Sequence, residues 1–375
     1  MRVKLSDIAK FSKGVQINGD DLIADGEYIY LNGGINPSGR WNTANVVENT
    51  VTISEGGNSS GYINYITEQF WCGAHCYYLH DGPKNTKYLY YALKSQQERL
   101  FAIRSGACMP NIKKADLGNF EFEYDFDEKR QNDIVDCLDK MQRIIEARQQ
   151  ELQKLDELVK ARFVEMFGDP LFNSLELKTL PMTEVCEIID GDRGKNYPTA
   201  DEFSDEGYCL FLNAKNVTTN GFNFDNCMYV TKEKDEALRK GRLSRGDVVL
   251  TTRGTLGNLA FYTDEVPFEH VRINSGMVIL RMKKDIIDES FFIEQFRMQL
   301  NDIKEKIASG SAQPQLPIST MNKIQILIPD IDKQREFAAF VKQLDKSKFD
   351  VRNHVQIKLY KYSICQNLCD YYFIL

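Results

Sequence analysis

The sequence predicts an α+β protein: two mixed α/β globular domains separated by a long antiparallel coiled-coil helix pair, arranged as a pseudo-twofold internal repeat. Three observations carry this. One irregular phrase occurs twice, as SGACMPNI at 105–112 and SGSAQPQL at 309–316. The segments around each copy repeat in the same order. Each copy then leads into a long charged stretch whose apolar residues step by three and four, the spacing of a helical seam. A repeat distance of 204 residues is that of a duplicated domain rather than a short-period solenoid.

The parallel begins at the first residues. LSDIAKFSKG (5–14) lines up with MTEVCEIIDG (182–191), and NTVTISEGGNSSG (49–61) with GDVVLTTRGTLGN (246–258). The second pair reads as a turn, a β-branched run and glycines. The offset between copies grows from 177 to 197 and then holds near 204 through the proline phrase. The second copy has therefore gained about 27 residues early on, and insertions of this kind gather in surface loops, where binding residues also sit. VVENTVTIS, RGDVVLTTRG, SGMVILRM and IQILIP have the composition of strands. TKYLYYALKSQQERLFAI and DESFFIEQFRMQLNDIKEKIA have helical spacing and precede the proline phrases. Each phrase pairs Ser-Gly with a proline, which disfavours regular structure.

The predicted organisation is a globular domain over 1–126, a helix over 127–168, a second globular domain over 169–330 and a second helix over 331–375. In the first helix Ile134, Leu138, Met141, Ile145, Leu152, Leu155 and Val159 form the seam, with Arg148 at its one polar position. In the second, Phe337, Val341, Leu344, Val351, Val355, Leu359 and Tyr362 do so, with Lys348 interrupting. Forty helical residues extend about 60 Å. A helix so long requires a partner, and the other one supplies it; the alternative is two helices packed each on its own domain.

Composition narrows the function. The formal charge is −7, against a stand-alone protein that coats nucleic acid, although it permits one basic face or DNA binding completed by a partner. No run approaches the roughly 18 apolar residues of a membrane span, and MRVKLSDIAKF lacks the apolar core of a signal peptide. Nine cysteines without framework spacing fit reduced thiols in a cytoplasm. The expected location is cytoplasmic, with no membrane partner.

A catalytic constellation is missing wherever one is sought. There is no Gly-Lys-Ser/Thr loop, and TTRGTLGN has too few glycines for a dinucleotide site. No Pro-Pro loop of the adenine-methyltransferase kind occurs. PDIDK (329–333) reads as a helix start, with Asp favoured at the positive end. CGAHC offers Cys72, His75 and Cys76 but no second ligand pair, so core cysteines are the expectation and no metal is assigned.

GDVVLTTRGTLGN, SGSAQPQL and IQILIPDIDKQREFAAFV, set in two halves that each run into a long helix, make the chain similar to the DNA sequence specificity subunit of type I restriction-modification systems. The likeness spans essentially the whole chain and is strongest in the second half. The first half departs from it, with EGGNSSG in place of the Thr-Arg-Gly turn and Met109 and Asn111 where the second half has Gln313 and Gln315. The C-terminal YKYSICQNLCDYYFIL likewise departs from the end of the central helix, LVKARFVEMFGDP.

The resemblance implies two target recognition domains, each reading one half of a split site in double-stranded DNA, with the helix pair as the ruler of the unread spacer. It implies a non-catalytic subunit to which two modification subunits bind, methylating adenine, while restriction subunits can join to cleave. S-adenosylmethionine, Mg and ATP are then expected on the partner subunits and none on this chain. Base edges are read by Arg, Lys, Asn, Gln, Ser and Thr. Candidate readers on turns beside the shared strands are Lys13, Gln16, Arg40, Asn58, Ser59, Tyr62 and Asn111 in the first half. In the second they are Arg193, Lys195, Tyr197, Arg253, Thr255, Asn258 and Gln313. For each the alternative is a solvated loop or a phosphate contact. LRKGRLSRGD (238–247) is either a phosphate patch or a surface turn. On the helices, Arg143, Arg148, Lys154, Arg162 and Phe163 are expected to point outward and dock the modification subunits. A stand-alone DNA-binding regulator and a coiled-coil interaction scaffold are the rival functions for this architecture.

Overall fold

The β-branched and aromatic runs form short strands, and one pairing scheme is built twice. The computed structural model describes residues 1–106, 109–308 and 315–371, with 307–308 and 360–371 as backbone only. The chain divides into two compact units, Met1–Gln150 with Arg352–Leu375, and Glu151–Val351.

The first unit opens with β1 (Arg2–Lys4), α1 (Leu5–Ile8) and β2 (Lys10–Lys13). There follow β3 (Tyr28–Leu31), β4 (Gly39–Trp41), β5 (Thr50–Ser54), β6 (Ile63–Ile66), β7 (Phe70–Cys72) and β8 (Cys76–His80). Helices α2 (Thr86–Lys94), α3 (Gln97–Ala102) and α4 (Lys114–Gly118), strand β9 (Glu121–Glu123) and helix α5 (Glu128–Phe167) come next. Strands β2, β8, β5 and β6 make an antiparallel sheet in that order. A second sheet, β4-β3-β7, contains the parallel pair β3/β7, and β9 returns to β1. The inner strand β5 is buried at every residue, as β-branched residues in a two-faced central strand should be. Helix α2 lays Tyr88, Leu89, Ala92 and Leu93 on this core, and Asn85 caps it by accepting from the Tyr88 amide at 2.9 Å.

The second unit repeats the scheme with β10 (Thr179–Pro181), α6 (Met182–Val185), β11 (Cys186–Asp190) and β12 (Cys209–Leu212). Strands β13 (Val217–Thr218), β14 (Gly221–Phe222) and β15 (Tyr229–Val230) precede α7 (Lys232–Ala237). Strands β16 (Val248–Thr251), β17 (Leu259–Phe261), β18 (Val271–Ile273) and β19 (Met277–Met282) lead to α8 (Glu289–Ala308), α9 (Ile318–Met321), β20 (Gln325–Leu327) and α10 (Ile331–Tyr371). The sheets are β11-β19-β16-β17 and β15-β12-β18, with β12/β18 parallel, and β20 pairs β10. Each sheet of the first half thus has its counterpart. The β13/β14 hairpin and α7, both between β12 and β16, have none, which places most of the extra residues of the second copy.

The inserted region is tied down by charge. Asp235 on α7 is fully buried and accepts from the guanidinium groups of Arg272 on β18 and Arg242. LRKGRLSRGD is partly neutralised by neighbouring acids, with Lys240 left exposed. Its Arg242 is held by Asp235, its Arg245 reaches the Thr263 and Phe268 carbonyls and covers the Tyr262 ring, and its Arg239 lies 3.9 Å from Asp192.

Within the second unit α5 and α10 run antiparallel: Phe163 meets Phe337, while Asp156 meets Lys348. Leu138, Ile145 and Val159 of the predicted seam are buried on α5, as are Phe337, Val341 and Val351 on α10. Leu359 departs from it and is 45% exposed, because the seam has moved by then to Val355 and Lys358; the Tyr362 side chain lies outside the described residues. Lys348 is buried in the seam, with its ammonium 2.8 Å from Asp156 and 3.7 Å from Asp345. One polar residue in an apolar seam disfavours slipped registers. Lys348→Met is expected to lower the unfolding free energy by about 1–2 kcal/mol, since Asp156 and Asp345 are well exposed while the buried Glu294, which Lys348 also helps to keep charged, retains Arg297 at 2.6 Å. A loss above about 3 kcal/mol in urea titration would mean that a buried charge had been stranded.

Candidate nucleic-acid interface

In each half three segments meet at one point: the glycine turn after the central strand, the turn that leads from the smaller sheet into the last strand of the larger one, and the end of the proline phrase. In the second half the Leu316 amide donates to the Thr252 carbonyl at 3.0 Å, bridging Arg253 to Gln315, and the Thr252 amide donates to Gly276 at 2.8 Å. In the first, the Ile112 amide donates to Glu55 at 2.9 Å, bridging Gly56 to Asn111, and the Glu55 amide donates to His75 at 2.9 Å. Both turns close through a glycine with positive φ, +81° at Gly257 and +83° at Gly61, a conformation a side chain resists.

The second half builds a cationic site at this junction. Arg193 and Arg253 both donate to the Ser275 carbonyl, and Arg193 also reaches Asp190 at 3.1 Å. Beside them runs a groove of about 240 Å³ lined by Asp190, Arg193, Thr252, Arg253, Gln315 and Pro317. The loop that carries Arg193 and Lys195 is braced by Asp192, which accepts from the Gly194 and Arg239 amides at 2.7 Å each. The Gly194 hydrogen bond leads in holding that carboxyl below the usual range. The first half is built otherwise, around Glu55, which holds Lys13 and lies 3.7 Å from His75. One architecture therefore presents two different chemistries.

The predicted readers divide accordingly. Arg193, Arg253, Thr255 and Tyr197 come together at the junction of the second half, Thr255 donating to the Ala214 carbonyl and Tyr197 accepting from the Ser275 amide, both at 3.5 Å. Tyr197 is half-buried, its ring nearly perpendicular to that of Phe211 at 5.7 Å. Asn258 is held by its side-chain bond to the Val217 carbonyl at 2.9 Å. Lys195 is exposed and has no partner among the described residues; Gln313 lies outside them. In the first half Lys13, Asn58, Ser59 and Asn111 gather at the junction, but Ser59 donates to Gly33 at 2.6 Å and the Asn111 side chain accepts from Ser105 at 3.1 Å. Gln16 is exposed and bonds its own neighbour, Ile17. Arg40 stands apart, capping the Gly26 and Glu27 carbonyls. Tyr62 lies under the Lys94 ammonium, 3.7 Å from its ring centre. Burial lowers Lys94 to about 8.

Two cations beside the glycine turns are additional to these, Lys304 against Gly257 and Arg104 on the Asn58 carbonyl. The signal that could have found Lys304 is the repeat itself, whose offset of 204 places it opposite Leu100.

On the helices, Arg143 and Lys154 are exposed, Arg148 is half-buried, and Arg162 bridges Glu165 at 2.8 Å and Glu336 at 3.4 Å. Phe163 corrects the expectation of an outward docking residue. It is fully buried, its ring 5.2–5.4 Å from those of Phe167, Phe291 and Phe337, because the seam continues from Val159 by one further step of four. Cys72 and Cys76 belong to a hydrophobic core cluster, while His75 is exposed. The bond to Cys76 and burial push the Cys72 thiol well above its ordinary range, away from thiolate chemistry. PDIDK opens α10, with Asp330 accepting from the Asp332 amide at 2.9 Å. Among the described residues no helix is long and apolar enough to cross a membrane.

Known proteins share this construction. Residues 1–157 and 175–361 each match the family described as type I restriction modification DNA specificity domain. A protein named as a type I specificity subunit from Mycoplasma genitalium is 27% identical over 349 residues, 89% of this chain and 84% of the relative. One from Mycoplasma pneumoniae is 25% identical over 360 residues, 92% and 88% of the two chains. Among solved structures, the S subunit of a type I restriction-modification system from M. genitalium covers 98% of this chain and 95% of its own, with a TM-score of 0.63 at 22% identity. A chain from a structural study of complex assembly and conformational transition in the type I system covers 98% and 97%, with a TM-score of 0.53 at 13% identity. With both halves matched and the fold shared throughout, the chain belongs to the type I restriction-modification DNA specificity family.

Proposed function

We propose that this chain reads a bipartite sequence in double-stranded DNA, one half-site per globular half, and directs two modification subunits, and restriction subunits with them, to it. The observation that carries this is the repeated junction: the same three segments bonded the same way, with an arginine pair in one half and a Glu55-centred cluster in the other. Two copies of one scaffold with different polar rims are what reading two different half-sites requires, since arginine favours guanine edges and amide side chains favour adenine.

The long helices then act as the ruler of the unread spacer, because a coiled coil holds a distance that a flexible linker does not. Their exposed cations, Arg143 and Lys154 among them, are the docking groups for the modification subunits. Those subunits carry S-adenosylmethionine and methylate adenine, and Mg and ATP serve the complex rather than this chain. A charge of −7 suits a reader whose grip on phosphate is shared with partners. Free thiols at Cys72, Cys76, Cys137, Cys186, Cys209 and Cys227 suit work in the cytoplasm.

The test is reconstitution of the full chain with modification subunits, followed by mapping of modified adenines. Exchanging residues 1–126 for those of a relative is expected to change one half of the methylated motif and leave the other intact. A motif that changes in both halves, or methylation without any motif, would refute the two-reader function.

A further inference from the structure

Each half holds a cation against its glycine turn, and the two cations come from different places in the repeat. In the second half it is Lys304, near the end of α8. A Cβ built on Gly257 would stand 2.1 Å from the Lys304 Cε and 3.0 Å from its Nζ, so the lysine lies along the turn in the space a side chain would take. The ammonium has no hydrogen-bond or ion-pair partner among the described residues. Its counterpart in the first half, Leu100, is fully buried. The fold accepts a leucine at this position, and the second half carries a lysine there instead.

In the first half the cation is Arg104, just after α3. Its guanidinium lies 4.5 Å from the centre of the Phe101 ring and donates to the Asn58 carbonyl at 3.4 Å, which sets it on the tip of the glycine turn.

Both turns also present unused donors. The amides of Thr255 and Leu256, and those of Asn58 and Ser59, find no acceptor among the described residues. The space beside them is open, since a Cβ on Gly254, Gly56 or Gly57 would meet nothing within 4 Å. Neighbouring free amides with an adjacent cation form a concavity for an anion. In the second half the set offers donors and positive charge; in the first, the Glu55 carboxylate that precedes the turn is held by Lys13, which leaves Arg104 and the open amides facing outward. Lysine adds a compact charge with no planar fork for a base edge, and the fork of Arg104 already donates to the Phe101 carbonyl at 2.8 Å and the Asn58 carbonyl. That chemistry suits a phosphodiester, whose contacts fix register on the duplex and carry no sequence information.

We propose that Lys304 and Arg104, each with the open amides of the turn it touches, hold a DNA phosphate, one per half, and position the readers without reading. This rests on the DNA-reading function proposed above. The experiment uses the full chain in complex with its modification subunits, and duplexes carrying either the mapped target or a scrambled sequence. Binding is measured across a series of KCl concentrations for Lys304→Leu, Arg104→Leu and the charge-retaining Lys304→Arg.

Each leucine variant is expected to weaken both duplexes alike, by roughly five- to tenfold near 0.1 M salt, and to lower the slope of log K against log salt by about 0.9. Lys304→Arg restores most of the loss, and the methylated motif stays the same in every variant. A loss confined to the target duplex, or an altered motif, would make these residues base readers and overturn the proposal. Unchanged affinity and slope in a variant that melts like the wild type would overturn it too. A wild-type complex that binds both duplexes equally would instead sink the reading function, while the salt slopes still report the phosphate contacts.

Discussion

Asp235→Ala is expected to lower the unfolding free energy of the chain by about 3–5 kcal/mol and, under the proposed function, to abolish methylation of the half-site assigned to the second domain. The carboxylate is fully buried, and Arg272, which it faces, is itself only 5% exposed. Arg272 has further acceptors in the carbonyls of Lys240, Asp235 and Leu238, at 2.6–3.0 Å, but these are dipoles and leave its charge uncompensated. Removing Asp235 therefore strands a cation between β18 and α7, the costly outcome when one partner of a buried pair is lost. Asp235→Asn keeps the shape and is expected to cost nearly as much, which separates charge from packing. Arg242→Ala is the control, since that side chain is half exposed and its loss should cost about 1 kcal/mol or less. Urea unfolding of the three variants checks the order; an Asp235→Ala loss as small as that of Arg242→Ala would show that Arg272 is stabilised by its carbonyls alone. The first half has Trp71, packed on Trp41, where the second has Arg272, so its methylation half-site should be unaffected.

How much of this was legible in the sequence follows from the range of the forces involved. The long helices were legible because their seam repeats locally, and the strands TVTIS and VVLT because β-branched runs between turns are local signals too. The duplication was legible because equal topology leaves equal phrases. The pairing of β3 with β7, or β12 with β18, was not, since parallel partners lie some forty to sixty residues apart and leave no mark on either strand. The same limit governs the readers. Arg40, Ser59 and Asn258 have the right side chains on the right turns, yet each is held by a carbonyl distant in sequence, on Gly26, Gly33 and Val217. LRKGRLSRGD looked basic because its acids, Asp192 and Asp235, are supplied by other segments. Polar residue type shows that a side chain can bond, and only the fold shows whether it already has.

Phe163→Ala is expected to cost about 3–5 kcal/mol, more than any substitution on the exposed faces of α5. The ring stacks on Phe291 of α8 at 5.4 Å and meets Phe337 of α10 edge-on at 5.4 Å, all three fully buried. It thus joins both long helices to the globular core of the second unit, and alanine leaves a cavity that three separate helices would have to close. Partial collapse is hard because Phe167 already fills the next turn, 4.9 Å from Phe291. The neighbouring Val164 is 42% exposed, so Val164→Ala should change stability by less than about 0.5 kcal/mol. A docking role would reverse this order in function: Phe163→Ala would fold normally and lose only the modification subunits. Thermal unfolding of the isolated chain beside co-purification with those subunits separates the outcomes. The burial predicts a large drop in Tm first, with loss of the partners only as its consequence. An unchanged Tm with the partners lost would return Phe163 to the helix surface.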